Sequence, residues 1–225
     1  NPLASMYFMQ IVWGLRKEPF IGVRPLNHAK EAPTTGAWQF TNAIDSWSWQ
    51  GYEGEKAVVE VYANSASVRL LLNGKEIANK PVKKYKTLFK LPYQPGTLTA
   101  EALDERANVI SSHSLTTAGE ETVLRVTPDK MVLCANNQAL CYLPIEFTDK
   151  AGNLKPYMEQ RVEVAVAGAA TLAGFGSALC KTNEVFDKPY HQSYRGRCLA
   201  VLRAGSTPGK AKVTVTSAGM EPVTI

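Results

Sequence analysis

The chain has 225 residues, of which 45% are hydrophobic and 20% charged, and its 25 basic and 20 acidic side chains leave a net charge of +5. These values lie near the averages for folded globular proteins, so they exclude a disordered or fibrous chain, and the length suits one large domain or two ordinary ones, with two expected. The most apolar stretch, residues 162–175, is interrupted by Glu163, Gly168 and Gly174 and falls short of the roughly 20 residues needed to cross a bilayer, so no membrane span is expected.

In chain order, residues 1–10 lack the basic start, apolar run and small-residue cleavage site of a signal peptide. Residues 5–13 contain no Pro or Gly and are apolar on nearly every side. They predict a short helix with Ser5 as its N-cap and Gly14 as its stop. A helix that is apolar all round expects cover on every face, yet nothing later in the sequence offers helical partners. From Phe20 onward the period changes to two. Val59 and Val61 share a face, as do Val68, Leu70 and Leu72, and Asn73-Gly74 is a strong signal for a tight hairpin. Further strands are expected over 87–93, 98–103 and 109–116, with Pro95-Gly96 as a turn. Residues 117–121 read as a linker. A second series follows at 123–127, 140–147, 161–166, 198–203 and 212–216. Strands about ten residues apart with no helix between them predict an all-β chain of two immunoglobulin-like antiparallel β-sandwiches rather than a βαβ fold.

The charge is concentrated in Lys80, Lys83, Lys84, Lys86 and Lys90. A nucleic-acid binder would mount such a cluster on a recognition helix or interleave it with stacking aromatics, and only Tyr85 and Phe89 are near. The cluster reads instead as a solvated hairpin face that guards a strand edge, and no nucleic-acid partner is expected. Cys134, Cys141, Cys180 and Cys198 lack zinc-site spacing; two disulfides are allowed but not required, and small buried apolar residues are the favoured reading. His28, His113 and His191 stand far apart with no second ligand at a metal spacing, so neither a metal nor any other cofactor is expected. Gly174-Phe-Gly176-Ser177 lacks the third glycine and the βαβ setting of a dinucleotide site and reads as a turn.

Glycoside hydrolysis needs two carboxyl groups flanking the scissile bond. Glu53, Glu55, Glu120, Glu121 and Asp149 fall in expected turns, where charge serves solvation, and no catalytic residue is assigned. One local feature stands above this background. Ser46-Trp47-Ser-Trp49-Gln-Gly51-Tyr52-Glu-Gly54, with Trp38 upstream, gathers aromatic faces that can stack on sugar rings, making Trp38, Trp47, Trp49 and Tyr52 candidate carbohydrate contacts. On a strand Trp47 and Trp49 point the same way, and the size of the indole favours their burial as packing anchors, with Trp49 near the 51–54 turn.

These residues resemble the C-terminal part of family 2 glycoside hydrolases, the β-galactosidase group. Met6-Tyr-Phe-Met-Gln-Ile-Val-Trp13 looks like that family's last barrel helix, and Pro19-Phe-Ile-Gly-Val-Arg-Pro25 like the strand that leads out of it. Trp47-Ser-Trp49-Gln-Gly51-Tyr-Glu53-Gly54, Val59-Glu-Val61-Tyr62-Ala-Asn64, Leu72-Asn73-Gly74-Lys75 and Tyr93-Gln-Pro-Gly96-Thr-Leu98-Thr-Ala100 follow in the family's order, and Thr117-Ala-Gly119 closes the first domain. The second domain is similar through Val166-Ala-Gly168, Leu172-Ala-Gly-Phe-Gly176 and Tyr194-Arg-Gly196-Arg-Cys-Leu199, although Ser177 stands where the family often has Asn; residues 28–42 align poorly.

The resemblance implies residues 1–20 as the tail of a catalytic barrel, 21–119 as the first sandwich and 120–225 as the second. It also implies a parent enzyme that hydrolyses β-linked sugars with two glutamates placed upstream and no catalysis by this chain alone; the compartment stays open, with a periplasmic or secreted setting favoured for such a parent. The barrel of the same polypeptide is then the expected partner, and self-association through the apolar helix is expected where the barrel is missing. A carbohydrate-binding module and a surface adhesion repeat are the competing functions. The two halves do not repeat each other's motifs, as an adhesion array would.

Overall fold

The structure, a computed structural model, describes residues 4–30, 40–179 and 182–225. The chain divides into two compact units, Asn1–Thr117 and Ala118–Ile225. Each is an immunoglobulin-like antiparallel sandwich, the fold class expected from the period-two pattern.

The first unit contains helix α1 (Ala4–Val12) and strands β1 (Phe20–Val23), β2 (Lys56–Tyr62), β3 (Ser67–Leu72), β4 (Lys75–Pro81), β5 (Lys86–Pro92), β6 (Thr97–Leu103) and β7 (Val109–Thr116). One sheet runs β1-β2-β5 and the other β4-β3-β6-β7, with every neighbouring pair antiparallel. Alternation sends Val59, Val61, Phe89 and Leu91 from the first sheet and Val68, Leu70, Leu98 and Ala100 from the second into one core. Asn73 and Gly74 take φ of 53° and 77°, as the two-residue turn between β3 and β4 requires.

Helix α1 lies on the outer face of the three-stranded sheet. Its Ala4 and Ile11 are buried with Phe20, Ala43 and Tyr62, and Tyr7 and Phe8 pack against the same cluster. Gly14 ends the helix as expected. At φ 70° its N–H donates to Ile11 O (3.1 Å) while Leu15 N–H donates to Gln10 O (2.8 Å), a Schellman closure. Ser5 departs from expectation. It lies inside α1, buried, with no partner for its hydroxyl among the described residues, because the helical conformation already includes Ala4. Among the described residues α1 is covered on one face, and Met6, Met9, Trp13 and Leu15 are exposed, Trp13 by 67% and Leu15 by 73%.

The second unit contains β8 (Val123–Val126), β9 (Leu140–Thr148), β10 (Arg161–Gly168), β11 (Ala170–Gly176), β12 (Tyr190–Gln192), β13 (Arg197–Ala204), β14 (Ala211–Ser217) and β15 (Val223–Thr224). Its sheets run β12-β10-β14-β15 and β11-β13-β9-β8 around a core that includes Leu143, Ile145, Phe147, Val162, Phe175 and Val215.

The Gly174-Phe-Gly176 segment, expected as a turn, belongs to edge strand β11, which pairs with β13 through a bulge between Leu172 and Gly174. Glycine serves there as space. Phe175 N–H donates to Phe186 O (2.8 Å), and a Cβ on Gly176 would run into the Phe186 ring. Gly196, at φ 71°, has the Lys155 carbonyl against it where a Cβ would sit. Gly196→Ala is therefore expected to cost roughly 1–3 kcal/mol in chemical unfolding, since both the left-handed backbone and the contact with main chain oppose a side chain. A loss within experimental error would remove this account of the glycine.

Candidate functional site

The tryptophans of the 46–54 segment are interior. Trp47 and Trp49 are both 0% exposed. Trp47 Nε1–H donates to Gln94 O (3.0 Å), and its ring meets Tyr93 edge to face with centroids 5.0 Å apart. Trp49 N–H donates to the Tyr93 hydroxyl (3.1 Å). As sugar contacts they would need an open ring face, and the core has taken both faces. Tyr52 packs half-buried against that core, and Trp38 lies outside the described residues.

Three of the turn carboxylates are committed locally. Glu53 accepts from Gly51 N–H (3.0 Å), Glu121 pairs with Lys150 (2.8 Å) at the surface, and Asp149 accepts from Gly119 N–H (2.9 Å) and from Asn153 N–H (2.8 Å) and Nδ2–H (2.9 Å). Burial raises the Asp149 carboxyl, but those donors outweigh it and hold the group below the ordinary carboxylate range.

The carboxylate that stands out is Glu60. Its side chain is 0% exposed, beside Tyr62 and the segment around Thr41. Arg24 on the chain after β1 (2.8 Å) and Lys86 at the start of β5 (2.6 Å) pair with it, while the Thr41 hydroxyl (3.0 Å) and the Tyr62 hydroxyl (2.8 Å) donate to it. Burial pushes this carboxyl up; hydrogen bonds from Lys86, Tyr62 and Arg24 pull it down further, so the net displacement is below its ordinary value. Burial and the Glu60 charge together raise the Tyr62 phenol. A general acid for glycoside cleavage needs the opposite displacement and an open approach. Glu60 is an ionised tie between β1, β2 and β5. The pattern around it could have pointed there, because Glu60 and Tyr62 share a face on which a helix with no other partner must settle.

The same contacts correct the reading of the lysine cluster as uniformly solvated. Lys86 is bound to Glu60 and lies over the Tyr62 ring (5.6 Å), and Lys80 lies over Phe89 (5.0 Å) with its Nζ donating to Leu88 O (2.9 Å). Lys83, Lys84 and Lys90 are exposed. Between Phe8, Phe40 and the crossing from the end of β4 to Leu88 on β5 is an open groove of about 660 Å³.

Among the described residues no group of three or more His, Cys, Asp or Glu side chains is placed to hold a metal ion, and no helix is long and apolar enough to cross a membrane. His113 stacks on Phe20 (6.3 Å), and burial followed by the Arg16 charge lowers its pKa. His28 is half-buried. His191 is fully buried beside Phe186, with Nδ1 2.9 Å from Gln192 O and 3.2 Å from Glu184 Oε2. Cys134, Cys141 and Cys198 are free thiols, the last two buried, and burial with the Glu184 charge pushes Cys198 up to about 12; Cys180 lies outside the described residues. A thiol held protonated in this way is no nucleophile.

Residues 124–225, nearly the whole second unit, match the family model of the glycoside hydrolase family 2 C-terminal domain 5. The chain belongs with the C-terminal domains of glycoside hydrolase family 2. Residues 54–110 of this family 2 region also match a domain of unknown function, DUF4982. Beta-galactosidase BoGH2A of Bacteroides ovatus is 30% identical over 185 residues, which make up 81% of this chain and 21% of that protein. A glycosyl hydrolase family 2 member from Bacteroides cellulosilyticus superimposes with a TM-score of 0.86 at 26% identity, over 100% of this chain and 30% of its own. A beta-glycosidase from Bacteroides vulgatus shares the fold, with a TM-score of 0.77 at 20% identity over 100% of this chain and 26% of its own. The family 2 region thus spans between a fifth and a third of these relatives.

Proposed function

We propose that this chain is the non-catalytic C-terminal part of a β-galactosidase-like hydrolase of β-linked sugars, in which its sandwiches buttress a catalytic barrel on the same polypeptide. The observation that carries the reading is the match, over 81% of the chain, to only 21% of a β-galactosidase, which leaves most of that relative outside the aligned region. The carboxylates support it, since Glu53, Glu121 and Asp149 are tied up locally and Glu60 is buried between two cations. Helix α1 supports it as well. On this reading residues 1–20 are the end of the barrel, 21–119 and 120–225 are the two accessory domains, and the exposed stripe of Met6, Met9, Trp13 and Leu15 is the side that meets the barrel. In the chain by itself the same stripe favours self-association.

The purified chain is expected to hydrolyse aryl β-galactosides no faster than buffer, even at high protein concentration, because a retaining or inverting site needs two carboxyl groups facing one open cleft. Activity that survives repurification and disappears when a single acidic residue of this chain is replaced would overturn the reading.

A further inference from the structure

We propose that residues 119–122, which read in the sequence as part of a linker, are a strap locked onto the second unit by Lys155 and Asp149, leaving Ala118 as the hinge about which the sandwiches can turn. This concerns the joint alone and does not depend on the accessory role.

The joint is fixed on its first side by Thr117, the last residue of the first unit. Its N–H donates to Gly96 O (2.9 Å), its hydroxyl oxygen accepts from Gly96 N–H (3.0 Å), and the hydroxyl donates to Trp47 O (2.7 Å). Trp47 is a core residue, so Thr117 is tied to the interior framework of its sandwich.

Two residues later a second set of bonds begins, all of it within the second unit. Gly119 N–H donates to Asp149 Oδ2 (2.9 Å), on a buried carboxylate that Asn153 N–H also holds (2.8 Å). Lys155 takes the next residues. Its Nζ donates to Glu120 O (2.7 Å) and to Thr122 Oγ1 (2.8 Å), and β8 starts at Val123, paired with Thr148 on β9. Lys155 is 0% exposed, and its own N–H is bonded to the carbonyl of the core residue Phe147 (2.8 Å).

A lysine is rarely buried this completely, and its ammonium needs acceptors in place of the water it has lost. Both acceptors lie on the strap. Lifting the strap would leave a buried cation unpaired or drag its long side chain out of the fold, so the strap is held by more than the sum of separate surface hydrogen bonds. Burial lowers the Lys155 pKa, and the charges of Asp149, Glu120 and Glu121 act against that shift. Ala118 is then the residue between the two anchored ends, and a few torsions at the edge of an element suffice for a hinge.

Glutamyl endopeptidase tests the lock on the whole chain, because Glu120 and Glu121 are exposed on the strap while Glu105, exposed in the turn between β6 and β7, serves as an internal reference. Cleavage requires local opening, and its rate follows the population of the open form. The native chain is expected to be cut after Glu120 and Glu121 far more slowly than after Glu105. Lys155→Met, which keeps the length of the side chain and removes its donors, should speed the strap cuts about tenfold or more and leave the Glu105 cut within about twofold. Thr122→Val removes one acceptor without touching Lys155 and should speed them about threefold. Backbone 15N relaxation of the unaltered chain should give Gly119, Glu120, Glu121 and Thr122 order parameters of about 0.85, as in the strands. Native strap cuts as fast as the Glu105 cut, no acceleration in Thr122→Val, or order parameters below about 0.6 would each overturn the proposal. If Lys155→Met unfolds the second unit, new cuts appear after Glu146 and Glu163 in β9 and β10, and Thr122→Val with the relaxation data then decides.

Discussion

Replacement of Glu60 by alanine is expected to lower the unfolding free energy of the first unit by about 3 kcal/mol, the lower end of the range for deleting one partner of a buried ion pair. The Glu60 side chain is wholly buried, whereas the Arg24 and Lys86 side chains are 38% and 27% exposed. The two cations can therefore turn partly to water, which holds the loss at that lower end. The buried Tyr62 hydroxyl, by contrast, is left without its acceptor.

The effect should depend on pH with a definite sign. The Glu60 carboxyl lies below its ordinary value of 4.5 in the folded chain, so it binds protons less readily folded than unfolded. Its stabilisation is fully present above that value and is lost as pH falls through the lower folded pKa. Asp104, Asp129 and Asp149 are displaced in the same direction, so the quantity to measure is the difference between wild type and variant in urea titrations across the acid range. That difference should shrink as pH drops below 4.5 and through the lower folded value. Glu60→Gln, which keeps an acceptor for Tyr62, should recover part of the loss. A Glu60→Ala protein that matches wild type within 0.5 kcal/mol, or a difference that does not change with pH, would show that this ion cluster is energetically neutral.

Truncating Trp47 to alanine should cost more, about 3–5 kcal/mol, the range for removing a large aromatic from a packed core. The indole is 0% exposed, its N–H has an acceptor in Gln94 O, and its ring supports Tyr93, whose hydroxyl in turn accepts from Trp49 N–H. Trp47→Phe keeps most of the apolar volume and loses one hydrogen bond, so it should fall between alanine and wild type. Urea unfolding followed by near-ultraviolet circular dichroism reads all three proteins. A Trp47→Ala loss under 1 kcal/mol would mean that the segment is only loosely held, and an aromatic sugar platform would then regain support.

Much of the architecture is written in local alternation. Val59 and Val61 against Glu60, and Cys141, Leu143, Ile145 and Phe147 in one file, state which face of each strand is apolar, and Asn73-Gly74 states where the chain reverses. Tryptophan size and spacing also sufficed to anticipate the buried positions of Trp47 and Trp49. The glycine pair at 174 and 176 misled for a physical reason. Glycine signals a turn by its freedom at positive φ, but neither residue takes that conformation, and at Gly176 the missing Cβ makes room for Phe186, which is ten residues further on.

Glu60 and Lys86 show the same limit from the polar side. Alternation places both on the outer face of β2 and β5, where charge ordinarily means water, and it is silent on what lies above that face. Helix α1 and the segment at Thr41 come from other parts of the chain to cover it, which buries an acid that looks solvated and ties a half-buried lysine to it. The sequence by itself determined the two sandwiches, their hairpins and the family likeness, because those depend on short-range periodicity and turn geometry. Only the tertiary structure decided which polar groups lose their water, because desolvation is set by whatever packs on a face from far along the chain.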